Sequence, residues 1–168
     1  MRKLFIASVI LAFLSAVGFG QDDKQAAIAV VNQLFAGMKA KSAEQLKGVF
    51  ALDAQFIAID KPRDGKGLST SRVMTGESFT KRIGEYTGPD YIEKMISPEA
   101  NVSGDLAVVS GRYTFYVGDK FSHCGTDVFS LVRTAAGWKI AQGSFTLEFQ
   151  CERDLKAIDV PKVDASPA

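Results

Sequence analysis

LAVVSGRYTFYVGDKFSHCGTDVFSLVRTAAGWKIAQGSFTLEF, Leu106 to Phe149, is the stretch on which the fold of this chain turns. Three runs rich in β-branched and aromatic residues, Ala107 to Val117, Phe121 to Arg133 and Trp138 to Phe149, are separated by Gly118-Asp119 and by Ala135-Ala136-Gly137. Such runs favour a pleated, packed backbone, and short glycine-containing breaks favour hairpins, so the block reads as three antiparallel strands of one curved sheet. No nucleotide loop, metal cluster or nucleophile motif stands out along the chain. The block speaks to architecture more than to chemistry.

Upstream, Ile28, Val31, Phe35 and Met38 recur at helical spacing, widened by Val30 and Leu34, which predicts an amphipathic helix over Gln25 to Ala40. Ser42 with Gln45 has the form of a capping box opening a short second helix that buries Leu46, Val49 and Phe50 and breaks at Asp53. Ala54 to Ile59 reads as a strand, and Asp60-Lys61-Pro62 begins a long polar loop through Thr75. A third helix is expected over Gly76 to Tyr86, burying Phe79 and Ile83 and stopped by Gly88-Pro89. Tyr91 to Val102, interrupted by Pro98, suits an edge strand, and Ser103-Gly104-Asp105 turns the chain into the hairpin block. Helices followed by long antiparallel pairing describe an α+β domain with helices on one face of a bent sheet.

Residues 1–20 carry Arg2 and Lys3, an apolar run from Leu4 to Val17 and small residues at Gly18 and Gly20, the pattern of an export signal peptide cleaved near Gly20. An N-terminal membrane anchor is the alternative, but the run is short against the ~20 residues a bilayer demands. One domain is expected over 21–158 and a disordered tail over 159–168, where Pro161 and Pro167 stand among Asp and Lys residues. Without Arg2 and Lys3 the 20 basic side chains fall one short of the 19 acidic ones, and no basic block remains. Nucleic acid is excluded as an expected partner, as is a membrane after signal cleavage. The localisation expected is periplasmic or secreted.

Export also sets the redox context of the two cysteines, Cys124 and Cys151. With Gly137 in a bulge, Thr134 faces Trp138, Glu148 falls opposite Cys124 and Cys151 opposite Phe121, which brings the two sulfurs near each other. A disulfide between them is expected.

Three local patterns, in this order, carry a family resemblance: Ala43-Glu44-Gln45-Leu46 leading to Phe50-Ala51-Leu52-Asp53-Ala54, Gly104-Asp105-Leu106-Ala107-Val108-Val109-Ser110-Gly111-Arg112-Tyr113, and Arg133 through Gly137-Trp138-Lys139-Ile140. Together they resemble the nuclear transport factor 2-like superfamily, in its SnoaL-like and lumazine-binding-like branches of small exported bacterial proteins. The resemblance implies a cone-shaped, strongly curved antiparallel sheet wrapped around three N-terminal helices, a cystatin-like α+β roll, with a pocket at the wide end and often a homodimer. It leaves the chemistry open, because the superfamily mixes isomerases, dehydratases, hydrolases and binding or scaffolding modules.

A two-residue turn at Gly118-Asp119 pairs Tyr116 with Phe121, Thr114 with His123, Arg112 with Gly125 and Ser110 with Asp127. One face then carries Tyr113, Phe115, Ser130, Trp138, Gln142 and Ser144, and the other Arg112, His123, Asp127, Phe129 and Phe145. The first mixes aromatic walls with neutral hydrogen-bonding groups and is the expected concave, ligand-binding face; the second would be the dimer surface. A slip of one residue exchanges the two assignments.

His123 is the sole histidine, so a site built on two imidazoles is excluded, and no metal or cofactor is expected. Strand rise puts Asp127 ~13 Å from it, too far for a direct acid–base pair. Tyr113 resembles the oxyanion-binding tyrosine of the ketosteroid isomerase-like branch, although there the residue comes from the first helix, and Gln25 to Ala40 holds none. Asp60 stands where that branch's aspartate base would, followed by Lys61 and Pro62. Tyr113, Asp60 and His123 are thus the catalytic candidates, each set against a plainer structural role. Asn101-Val102-Ser103 matches a glycosylation acceptor but fits a turn, and the loop with Lys61, Arg63 and Lys66 is the candidate lid. The function expected is binding of a small hydrophobic or amphipathic molecule, with an isomerase or dehydratase and a ligand-free dimeric scaffold as alternatives.

Overall fold

A computed structural model describes residues 18–151. Residues 1–17 of the signal peptide expected over 1–20, and the tail expected over 159–168, lie outside the described residues. Three helices, α1 (Gly18–Ala40), α2 (Ala43–Lys47) and α3 (Gly76–Gly84), accompany six strands, β1 (Phe50–Asp60), β2 (Thr70–Thr75), β3 (Tyr91–Ser103), β4 (Leu106–Val117), β5 (Lys120–Thr134) and β6 (Gly137–Leu147). The strands form one sheet in the order β2-β1-β6-β5-β4-β3, antiparallel throughout except that β1 runs parallel to β6. Both edge strands, β2 and β3, line a single cavity, so the sheet is rolled into a cone.

The inner side of that cone is closed by α1, whose Ala27, Val31, Leu34, Phe35 and Met38 are buried along one stripe, as the helical spacing predicts. α1 ends where Lys41 takes φ 53° and the Ser42 amide returns to the Gly37 carbonyl at 3.0 Å, a left-handed cap that satisfies a terminal carbonyl. Ser42 then accepts from the Gln45 amide at 3.2 Å and opens α2, which buries Leu46 against α1. The second helix is shorter than expected, because Phe50 already belongs to β1. Asp53, at φ 58°, kinks that strand and coincides with a shift in its pairing to β6.

The last six residues of the expected 60–75 loop are strand: Thr70 to Thr75 pairs with β1 from Asp60 to Gln55. Its side chains are mostly exposed on an outer edge, so it shows no alternation of apolar and polar residues. Thr75 caps α3 by accepting from the Ser78 amide at 3.1 Å. β3 is an edge strand, as Pro98 suggests, and its pairing shifts between Ile96 and Glu99.

Two bulges correct the assignment of faces. Tyr116 pairs with Phe121 as expected, but Phe115 pairs with His123, so Ser122 is an extra residue on β5. At the second hairpin Thr134 pairs with Gly137 and Leu131 with Ile140, and the extra residue is Ala141, after which Ser130 meets Gln142. Side chains alternate with period two, so each inserted residue exchanges the faces beyond it. The inner face therefore combines Tyr113 and Phe115 with His123, Asp127, Phe129 and Phe145, whereas Ser130, Gln142 and Ser144 stand on the outer face. Phe129 and Phe145, expected on a dimer surface, face the helices and the cavity instead.

The last register holds where it matters for the cysteines: Glu148 bridges to Cys124. Cys151 follows, and the two cysteines form a disulfide with Cα atoms 6.1 Å apart. No helix of the described residues is long and apolar enough to cross a membrane.

Candidate functional site

The cone encloses a cavity of about 580 Å³. Leu34, Phe35 and Met38 of α1, Phe79 and Ile83 of α3, and inward-facing residues of every strand line it. The lining residues that remain exposed, Arg72, Arg82, Glu85 and Ser122, mark its mouth, and the buried Leu34, Phe56, Tyr113 and Phe129 its interior. This size and aromatic character are those of a small-molecule site.

Tyr113 crosses β5 to reach β6, donating its hydroxyl to the Thr146 carbonyl at 2.7 Å. The ring can take that path because its partner on β5 is Gly125, where a Cβ would stand 2.7 Å from Tyr113 Cε1 and 1.9 Å from the Thr146 oxygen. Burial, with the negative charge of Glu93 and Asp127 added, holds the phenol protonated far above its ordinary range.

Glu93 and Asp127, on β3 and β5, meet across β4. Asp127 is fully buried, and neither of its carboxyl oxygens accepts from an N–H or hydroxyl group. What faces it is the Glu93 carboxyl, which lines the cavity. A hydrogen bond between two such carboxyls requires that one carry a proton and is lost when both ionise, so each holds the other toward the protonated form. Burial pushes Glu93 up to about 7, partly offset by its bond to Asp127, and burial together with the Glu93 charge pushes Asp127 up as well.

His123 stacks on Phe115 with centroids 4.7 Å apart and meets Tyr113 edge-on at 5.8 Å. Its Nδ1 lies 3.0 Å from the Ser122 hydroxyl. Burial lowers it to about 4, against the opposing pull of Asp60, so the imidazole is neutral near pH 7.

Of the residues singled out from sequence, Tyr113, Phe115 and His123 come together in this cavity. Asp60 does not line it; Arg72 holds the carboxylate through bonds of 2.8 and 3.4 Å. Trp138 is buried in the core, under the Arg133 guanidinium at 4.2 Å, with Arg133 also bound to Asp23 of α1 at 2.7 Å. Ser130, Gln142 and Ser144 lie together outside the cone, the Gln142 amide donating to the Ser144 hydroxyl at 3.1 Å. Glu93 escaped the sequence reading, and Asp127 was placed on the outer face. The signal for the first was its parity with Tyr91 and Met95 on β3; for the second, a carboxylate set mid-strand among Val128, Phe129 and Leu131. Among the described residues no cluster of three or more metal-binding side chains occurs.

The family model described as "Putative lumazine-binding" matches residues 22–146, which spans all three helices and nearly all of the sheet. The chain belongs to this family. Solved structures share its nuclear transport factor 2-like, cystatin-like fold. A nuclear transport factor 2-like protein from Salmonella enterica serovar Typhimurium is 17% identical over 76% of this chain and 92% of its own, with a TM-score of 0.59. A nuclear transport factor 2-like protein of cystatin-like fold from Novosphingobium aromaticivorans is 14% identical, covers 76% and 82%, and has a TM-score of 0.61. A protein of cystatin-like fold from Nostoc punctiforme is 10% identical, covers 74% and 90%, and has a TM-score of 0.58. Comparison with curated proteins finds no match. The lumazine-binding-like relationship points to a small-molecule-binding domain.

Proposed function

We propose that this chain is an exported binding domain that takes one small hydrophobic or amphipathic molecule into the cone. The observation that carries the reading is the 580 Å³ cavity itself, walled by aromatic and aliphatic side chains and given a polar anchor by Glu93 beside Tyr113. A packed, structural interior would leave no such space, since protein cores are filled to crystal-like density. Export is supported by the leader-like segment and by the Cys124–Cys151 disulfide, which needs an oxidising compartment to persist. Association into a homodimer is supported by the outer face, where Val108 is 40% and Val128 38% exposed beside Ser110 and Ser130. A thermal-shift screen of neutral and charged apolar metabolites against the mature chain tests the binding reading. Stabilisation that disappears when Ile83→Trp fills the cavity supports it; no stabilisation by any compound, with a stable dimer, favours a scaffold.

An acid–base isomerase or dehydratase is the second reading. It is favoured by one observation, the Glu93 carboxyl poised near neutrality beside the Tyr113 phenol. Turnover of a bound compound that Glu93→Gln abolishes would establish it.

A further inference from the structure

The deep polar end of the cavity is rich in acceptors and poor in donors. Glu93 places its carboxyl there, the fully buried Asp127 carboxyl lies behind it, and neither forms an ion pair with a lysine or arginine among the described residues. The Tyr113 hydroxyl is committed to the Thr146 carbonyl. His123 is neutral and turned toward Ser122. α1 contributes only the apolar Leu34, Phe35 and Met38 to the lining.

An acid pair with one member buried and no counter-charge is costly, and the cost falls when a cation arrives. The walls suit one: Tyr91 and Phe115 lie with centroids 5.4 Å apart on the side where Glu93 stands, and aromatic faces attract organic cations. The mouth does not oppose its entry, because Arg72 is neutralised by Asp60, and Glu85 lines the same rim as Arg82.

From this geometry we infer that the cavity takes an organic ammonium, a protonated amine on an apolar body, with its N–H groups on Glu93, backed by the buried Asp127, and its body against Tyr91 and Phe115. The inference rests on the binding reading above and names the chemical class of ligand. The ammonium replaces the proton that Glu93 holds, so binding releases up to one proton to solvent. Glu93, His123, Tyr113, Tyr86, Tyr91, Arg72, Arg82 and Glu85 are the titratable or charged groups that line the cavity, with Asp127 behind Glu93, and of the lining groups Glu93 alone titrates near neutrality in contact with the ligand nitrogen.

Three isosteric probes test it on the mature chain: 4-phenylbutylamine, 4-phenylbutanol and 4-phenylbutyrate, titrated by calorimetry at neutral pH in two buffers of different ionisation enthalpy. The expected result is that the amine binds about tenfold or more tighter than the alcohol, a difference of about 1.4 kcal/mol, with the carboxylate weakest and with protons released. Glu93→Gln removes that advantage while leaving the alcohol bound; if that variant fails to fold, Glu93→Leu makes the same comparison. Alcohol binding equal to or tighter than amine binding, or amine affinity unchanged in a folded variant, overturns the ammonium assignment and leaves the cavity reading in place. Failure of all three probes overturns both.

Discussion

The Tyr113 hydroxyl lies 2.7 Å from the carbonyl oxygen of Thr146, so a side chain from β4 closes a hydrogen bond with the backbone of β6, two strands away. The intervening residue is Gly125, and the strand it belongs to is bridged rather than bypassed. Gly125→Ala sets a methyl group against both the ring and that carbonyl, where backbone has to give way. The expected loss is about 3 kcal/mol, seen as a lower urea midpoint with an unchanged slope. Tyr113→Phe removes the hydrogen bond alone and should cost about 1 kcal/mol.

The Glu93–Asp127 pair gives stability a pH dependence of definite sign. Unfolded, Glu93 ionises near 4.5; folded, it keeps its proton to about 7. Between those values the unfolded chain binds fewer protons than the folded one, so this residue's contribution to stability declines as the pH rises through that window. Glu93→Gln abolishes the decline. The variant should exceed the parent by on the order of 2 kcal/mol at about pH 8 and match it near pH 4, in urea denaturation repeated across pH.

The disulfide ties Cys151, beyond β6, to Cys124 on β5 across a sequence separation of 27 residues. Loop-closure entropy puts its stabilisation at about 3.5 kcal/mol at 25 °C. Reduction, or Cys124→Ser with Cys151→Ser, should lower the denaturation midpoint accordingly. An unchanged midpoint after reduction would remove the cross-link from the account of stability.

Outside the cone, Val128 is exposed opposite Ser110 and next to Val108 across the strand pair. A lysine there should leave the fold's own stability within about 0.5 kcal/mol while placing a charge in a self-complementary interface. Sedimentation should give the mass of two chains for the parent and of one for Val128→Lys. A parent that sediments as a single chain would contradict the dimer.

The strands from Leu106 to Leu147 are legible because their composition and their two glycine-bearing breaks agree on one backbone state. The inner face is not. Ser122 and Ala141 are ordinary strand residues by composition, and nothing local marks them as the positions where the ladder takes on an extra residue. The first insertion moved His123, Asp127 and Phe129 to the side of Tyr113, and the second separated Trp138 from Gln142 and Ser144. β2 was illegible for a different reason: an edge of mostly exposed residues from Thr70 to Thr75, with the apolar Val73 and Met74 adjacent rather than alternating, has no pattern to read. Glu93 and Asp127 look like solvated charges until their partners on β4 are known, because a carboxylate is seldom buried without a cation.

The cavity claim is tested most directly by titrating the mature protein with Nile red, a neutral dye whose emission reports an apolar site. The account predicts one dye per chain, with affinity reduced about tenfold or more by Ile83→Trp, which fills the cavity lining, and unchanged by Val128→Lys on the outer face. Binding that survives Ile83→Trp and is lost in Val128→Lys would place the apolar site outside the cone and contradict it.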